Sequence, residues 1–283
     1  MISVITWDAG FRESYHTVDY FKHQTLGKDK FEFIWADYYS TIKPELEVKI
    51  QAMDNGRTFL LNGKGKWHLG RCINAAVKES KGDLLVIPDG DIVVEENLLA
   101  ETIRLHEIYE NLVLYFRRWD EPNPEEKSKE TLSISRLRDT CRLTNPTNYG
   151  GCLTIPRKVF NYVFGYEEHE LFSEAGANGM ELYTRLKNAG FPIMWHPEHK
   201  IYHPWHKGSY PNDPEYKTKV DKQNWVIRQR DLGIIFESDT SDVDRLILEY
   251  QKTIQKSEIK IKGKTSIFYK INKFFSTKYK QLK

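Results

Sequence analysis

Two aspartates one residue apart, Asp89 and Asp91, follow the apolar run Leu84-Leu85-Val86-Ile87-Pro88. At the C-terminal end of a buried parallel strand, such a pair faces the crevice where α/β sheets bind ligands. Carboxylate oxygens are hard ligands suited to Mg2+ or Mn2+, cations that keep positions open for phosphate oxygens. Gly90 between them lets the backbone come close to a diphosphate. Asp-Gly-Asp is also an ordinary turn sequence, so its weight rests on what surrounds it. Arg71 and Asn74, spaced i and i+3, share one face of a helix expected over about 67–80. His203 and His206 lie in the run Tyr202-His203-Pro204-Trp205-His206, and imidazole is a competent Mn2+ ligand.

The elements that must position these groups follow from hydrophobic periodicity. Residues 2–6, 31–36 and 83–87 are short, apolar runs of the kind that form buried strands. Between them, Phe11, Tyr15, Val18 and Phe21 recur at helical spacing and predict a helix over 11–25. A helix is expected over 97–110, a strand over 112–116, and a mobile, highly charged surface loop over 119–140. A short strand at 152–155, a helix from Pro156, a helix over about 179–189 and an extended stretch over 192–205 complete the pattern. Alternating strands and helices imply a mostly parallel sheet with right-handed crossovers.

Four stretches resemble family 2 glycosyltransferases, in order and at plausible spacing over about residues 1–206. FEFIWADYYS is similar to the family's nucleotide-binding strand, and GRCINAAVKESKGDLLVIPDGDIVV to its helix, strand and D-x-D segment. NYGGCLTIPRKVFNYVFGYEEHELF resembles the G-G…P-R…G-F-D-E segment, and ELYTRLKNAGFPIMWHPEHKIYH the L-x-x-R-L…H stretch. The resemblance implies a GT-A-like, Rossmann-type α/β fold, an inverting transfer from a UDP-sugar to a hydroxyl acceptor of a glycan or glycolipid, and a divalent cation. Asp37 is then expected to accept the N3–H of uracil, with Thr6 reaching the same base. Arg71 and Asn74 would hold diphosphate or ribose beside Asp89. Asp91 would bind the metal together with His203 or His206, and one histidine added to two carboxylates favours Mn2+ over Mg2+. The chain departs from the family at the acceptor base, where Asn178-Gly179 stand in place of Glu-Asp. The carboxylates left to deprotonate the acceptor are, in order of expectation, Glu181, Glu174 and Glu168.

Composition sets the outer bounds. Three cysteines without ligand-like spacing argue against a zinc site or disulfide scaffold and for a reducing compartment. The start MISVITWDAG has no basic, apolar leader pattern. The net charge of +2 is uneven: residues 252–283 hold ten lysines and one acid, a charge of +9, so the remainder carries −7. Residues 259–283 read as a basic amphipathic segment suited to an anionic membrane surface or as a solvated terminus. The expected organisation is a GT-A domain over 1–235, with a nucleotide-sugar half to 95 and an acceptor half from 96, then a helical Lys-rich tail over 236–283. The expected location is cytoplasmic, at or near a membrane face, with no nucleic acid as partner. Two rival classes remain at this point: a metal-dependent nucleotidyltransferase, for which TWDAGFRES is a poor phosphate loop, and a non-catalytic sugar-nucleotide binder, suggested by Asn178-Gly179.

Overall fold

The computed structural model describes residues 1–123, 132–174, 176–206 and 214–263, without the side chains of 255–263. In chain order its elements are β1 (Ile2–Asp8), α1 (His16–Lys22), β2 (Phe31–Asp37), α2 (Pro44–Gln51), β3 (Gly56–Leu60), α3 (Leu69–Glu79), β4 (Leu84–Pro88) and β5 (Val93–Val94). They continue as α4 (Leu98–Ile108), β6 (Val113–Asp120), α5 (Ile134–Thr140), β7 (Cys152–Pro156), α6 (Arg157–Tyr162), α7 (Asn178–Asn188), β8 (Ile193–His203), α8 (Pro214–Leu232) and α9 (Thr240–Gly263). Two compact units result, Met1–Thr240 and Ser241–Lys283. The second is described only through the remainder of α9. The expected membrane segment therefore lies mostly outside the described residues, and no described helix is long and apolar enough to cross a membrane.

Among the described residues eight strands form one sheet in the order β3-β2-β1-β4-β7-β6-β8-β5. β3, β2, β1 and β4 are mutually parallel, β6 runs parallel to β8, and β7 and β5 are antiparallel to their neighbours. Side chains alternate across the pleat, and the burial pattern follows that alternation. Val4, Phe33, Trp35 and Val86 cluster with Val18 and Phe21 of α1, Ile50 of α2 and Leu98 of α4. Ile5, Ile34, Leu85 and Ile87 cluster on the opposite side with Ile73 and Val77 of α3, Phe160 of α6 and Leu182 of α7. The sheet is thus buried on both faces, which is why its parallel strands read as continuous apolar runs.

Three expectations need correction. The helix expected over 11–25 is confined to His16–Lys22. Gly10 takes a left-handed φ of 74°, and Phe11, 41% exposed, packs edge-on to Trp7 rather than along the helix stripe. The strand expected to stop at 116 runs on to Asp120, carrying Arg117 and Arg118 with it. The loop expected over 119–140 contains α5, capped by the Ser133 hydroxyl, which accepts from Arg136 N at 3.3 Å; only 124–131 of it lie outside the described residues. α2 and β3 had no counterpart in the sequence reading. α2 begins with Pro at its first turn, and β3 pairs along β2 from Gly56↔Phe33 to Leu60↔Asp37 as an edge strand of half-buried residues.

Candidate active site

β1 sits between β2 and β4, with α1 leaving it over one face and α3 entering β4 over the other. Strand order reverses there, and a crevice opens beyond the C-terminal ends of the parallel strands. Asp37 ends β2, Asp8 ends β1, and Asp89 and Asp91 follow β4. β6 and β8 end nearby with Asp120 and His203 as register partners. Gly150-Gly151 brings β7 alongside, since Asp89 N donates to Gly151 O at 2.9 Å.

Asp91, His203 and His206 place one ligand atom each within 4.8 Å of one another. His203 Nε2 lies 3.6 Å from Asp91 Oδ1, His206 Nε2 lies 3.5 Å from Asp91 Oδ2, and the two Nε2 atoms are 3.1 Å apart. Asp120 Oδ1 stands 3.2 Å from His203 Nδ1. A carboxylate beside Nδ1 favours a proton on that nitrogen, which leaves the Nε2 lone pair for a cation, as behind many metal-binding histidines. A carboxylate with two converging imidazoles fits a borderline divalent cation such as Mn2+. A second group, Glu101, His196 and His199, meets the same distance criterion but not the chemistry. His196 Nδ1 accepts the amide hydrogens of Glu198 and His199 at 3.2 and 2.8 Å. Its proton is therefore on Nε2, which donates to Glu101 at 3.3 Å and has no lone pair for an ion.

Two arginines, neither singled out from the sequence, face the aspartates. Arg12, on the loop after β1, donates to Asp91 Oδ2 and lies 4.0 Å from Asp89 Oδ1. Arg118 of β6 lies 3.8 Å from Asp89 Oδ2 and 2.9 Å from Asp120 Oδ1. Burial and the neighbouring Asp91 charge push the Asp89 carboxyl up. Burial also acts to raise Asp91, but Arg12 and the two imidazoles hold it well below the usual carboxylate range. Asp91 is thus the member poised as an anion. Arg118 and Asp120 escaped the sequence reading because the apolar run stops at Phe116, short of the end of the strand that delivers them.

The remaining sequence candidates divide. Asp37 is buried, pairs in register with Asp8, and accepts Tyr39 N at 2.8 Å. Burial first, then the adjacent Asp8, raises its pKa. Thr6 is fully buried on β1, two residues before Asp8. Asn74 spends its side chain on the 166–168 turn, bonding Tyr166 O and Glu168 Oε1 at 2.8 Å each and accepting Tyr166 N at 2.9 Å. Arg71 donates to Glu168 O at 3.0 Å and pairs with Glu170 at 2.8 Å. Both therefore tie α3 to that turn. Glu174 is held by Lys66 at 3.0 Å and Lys219 at 3.5 Å. Glu181, first in the expected order for the base, is corrected outright. It is 1% exposed and locked between Arg185 and Arg230 at 2.6 Å each. Gly179 packs against the Tyr149 backbone, where an added Cβ would lie 2.8 Å from the carbonyl oxygen, so the position leaves no space for the family's aspartate.

Comparison with known proteins bears on the whole arrangement. No curated protein sequence matches the chain. Staphylococcus aureus TarS residues 1–349 in complex with UDP is similar in structure at 19% identity and a TM-score of 0.56, over 88% of this chain and 70% of that one. GalNAc-T7 with UDP, GalNAc and Mn2+ is similar at 16% identity and a TM-score of 0.58, over 88% of this chain and 55% of that one. At such identities the likeness establishes the GT-A-type fold: a curled, mostly parallel sheet flanked by helices. The model of glycosyl transferase family 2 matches residues 15–164, which include α1, the paired aspartates and β7. That match displaces the nucleotidyltransferase and non-catalytic readings: the chain belongs to glycosyl transferase family 2 and is a glycosyltransferase.

Proposed function

We propose that the enzyme transfers a sugar from a UDP-sugar to a hydroxyl of a glycan or glycolipid, with inversion, in a single displacement that needs a divalent cation, Mn2+ in preference to Mg2+. The observation that carries this reading is the convergence of Asp91, His203 and His206 beyond β4, beside Asp89. Structures of TarS in complex with UDP-GlcNAc and of GalNAc-T7 with UDP, GalNAc and Mn2+ support a donor and cation of this class. A cation at Asp91 would carry positive charge against the departing diphosphate. Asp37 accepts the uracil N3–H, a charge-assisted bond that gains strength when water is excluded. Asp120 orients His203, and Arg118 steadies Asp89.

The acceptor proton goes to Glu174, with Glu168 second. Glu174 is partly exposed, has a left-handed φ of 57°, and its N–H donates to Trp67 O at 2.7 Å. Trp67 packs against Trp7 and Phe11 at ring-centroid distances of 5.2 and 5.6 Å, so this glutamate lies along the aromatic rim that borders Arg12. The hydrogen bond from Lys66, and charge from Lys219, lower its pKa, so it is ionised at neutral pH while its basicity is reduced. The basic residues 259–283 would hold the protein to an anionic membrane surface, in polysaccharide or glycoconjugate synthesis on its cytoplasmic face. The test is UDP release across a panel of UDP-sugars, with acceptor, in Mn2+ and in EDTA. Release that persists undiminished in EDTA removes the metal from the mechanism.

A further inference from the structure

Arg12 is held by more than the carboxylate it meets. Its Nε donates to Trp7 O at 3.3 Å. Its guanidinium carbon lies 5.9 and 5.4 Å from the ring centroids of Trp7 and Phe11, and its side chain is only 5% exposed. It also crosses Gly90 so closely that a Cβ there would lie 2.5 Å from Nε and 2.9 Å from Cδ. The glycine between the two aspartates is thus needed to admit Arg12, whatever it also does for a ligand. The guanidinium is a built-in cation, fixed by backbone, rings and shape on the face of Asp91 that a metal ion would use.

The charges around it suggest what such a cation does. Three carboxylates (Asp89, Asp91 and Asp120) face two guanidinium groups (Arg12 and Arg118), leaving one net negative charge when the imidazoles are neutral. A divalent cation entering alone would turn the centre net positive and crowd it against Arg12. A diphosphate arriving with the cation brings the negative charge that both cations then share. We infer that Arg12 sets the order of binding: it weakens divalent-cation binding to the UDP-free protein and strengthens diphosphate binding, so the cation enters with or after the nucleoside diphosphate. The inference rests on the reading of Asp91 as a metal ligand, and it adds an electrostatic reason for the cation to follow the nucleotide.

Each affinity can be measured separately. Mn2+ binding is followed by the paramagnetic resonance of free Mn2+, with and without UDP, and UDP binding by calorimetry, with and without Mn2+. Arg12→Gln is expected to tighten Mn2+ binding to the UDP-free protein by about tenfold and to loosen UDP binding by about tenfold, about 1.4 kcal/mol each. Arg12→Lys keeps the charge and should stay close to wild type in both affinities. Gly90→Ala displaces the guanidinium without removing it and should shift both affinities in the direction of Arg12→Gln, so the question remains open to test should Arg12→Gln fail to fold. Mn2+ affinity of the UDP-free protein that is unchanged or weaker in Arg12→Gln and Gly90→Ala overturns the inference alone. Wild-type protein that binds no Mn2+ with or without UDP overturns the metal reading, and this inference with it.

Discussion

At the scale of single residues, the site separates groups that look alike in the sequence. Asp89 and Asp91 are equivalent by spacing, yet Arg12 and two imidazoles stabilise charge on Asp91 while burial and its neighbour raise Asp89. Asp91→Asn should therefore abolish Mn2+ binding and cut sugar transfer by several orders of magnitude, with circular dichroism still showing the native fold. Normal transfer by this variant would remove Asp91 from the metal site. Asp37→Ala should weaken UDP binding by about 1.5–3 kcal/mol, the usual worth of a hydrogen bond to a charged group. Equal affinity of the wild type for UDP and ADP would argue against uracil recognition. Among the glutamates, Glu174→Gln should lose transfer and keep UDP binding. If it transfers normally and Glu168→Gln does not, the base is Glu168.

At the scale of elements, the glutamate expected first as the acceptor base carries structure here. Glu181 of α7 accepts from Arg185 on its own helix and from Arg230 of α8, and Arg230 also pairs with Glu167 at 2.7 Å. Arg185 Nη2 continues to Gly165 O at 2.7 Å, so two helices and the 163–168 turn share one buried ionic network. Removing one partner from such a network strands charge where water cannot reach it. Glu181→Gln should cost about 3–5 kcal/mol of stability, read by urea denaturation, with UDP binding retained under native conditions. The pH dependence follows from the sign of the shift. Burial opposes ionisation of Glu181, but the two guanidinium groups overcome it and hold its folded pKa below the ordinary glutamate value. Its contribution is therefore complete above about pH 4.3 and is lost as pH falls through the depressed folded value. Glu181→Gln should flatten that acidic limb of the stability curve. An unchanged limb would mean the network contributes nothing to acid sensitivity.

At the scale of the whole molecule, charge and fold are distributed differently along the chain. The paired aspartates and their ligands belong to Met1–Thr240, while ten of the lysines fall within 252–283. If the second segment serves a membrane surface, ending the chain after Gly263 should abolish sedimentation with vesicles rich in anionic lipid and leave UDP affinity unchanged. Added salt should weaken wild-type sedimentation, since surface attraction of this kind is screened within about 8–10 Å at 0.1–0.15 M. Equal sedimentation of the shortened chain would discard that role.

The sequence by itself determined the α/β class, the strands that lead to Asp37 and to Asp89, and the helices near 69–79, 98–108 and 178–188. These are local matters of period, β-branching and capping, and short apolar runs buried on both faces carry them plainly. It also singled out Asp91, His203 and His206, through resemblance rather than through any periodicity. What only the tertiary structure decided was which charged residues share space. Arg12 and Asp91 are 79 residues apart, and Glu181 meets an arginine 49 residues further on. No local pattern records such pairs, because long side chains find their partners through strand order and register. A one-strand change of sheet order would have sent Arg118 and Asp120 elsewhere with the same local sequence. Burial likewise turned Glu181 from a plausible base into a structural anion: exposure, unlike residue type, is a property of the assembled fold.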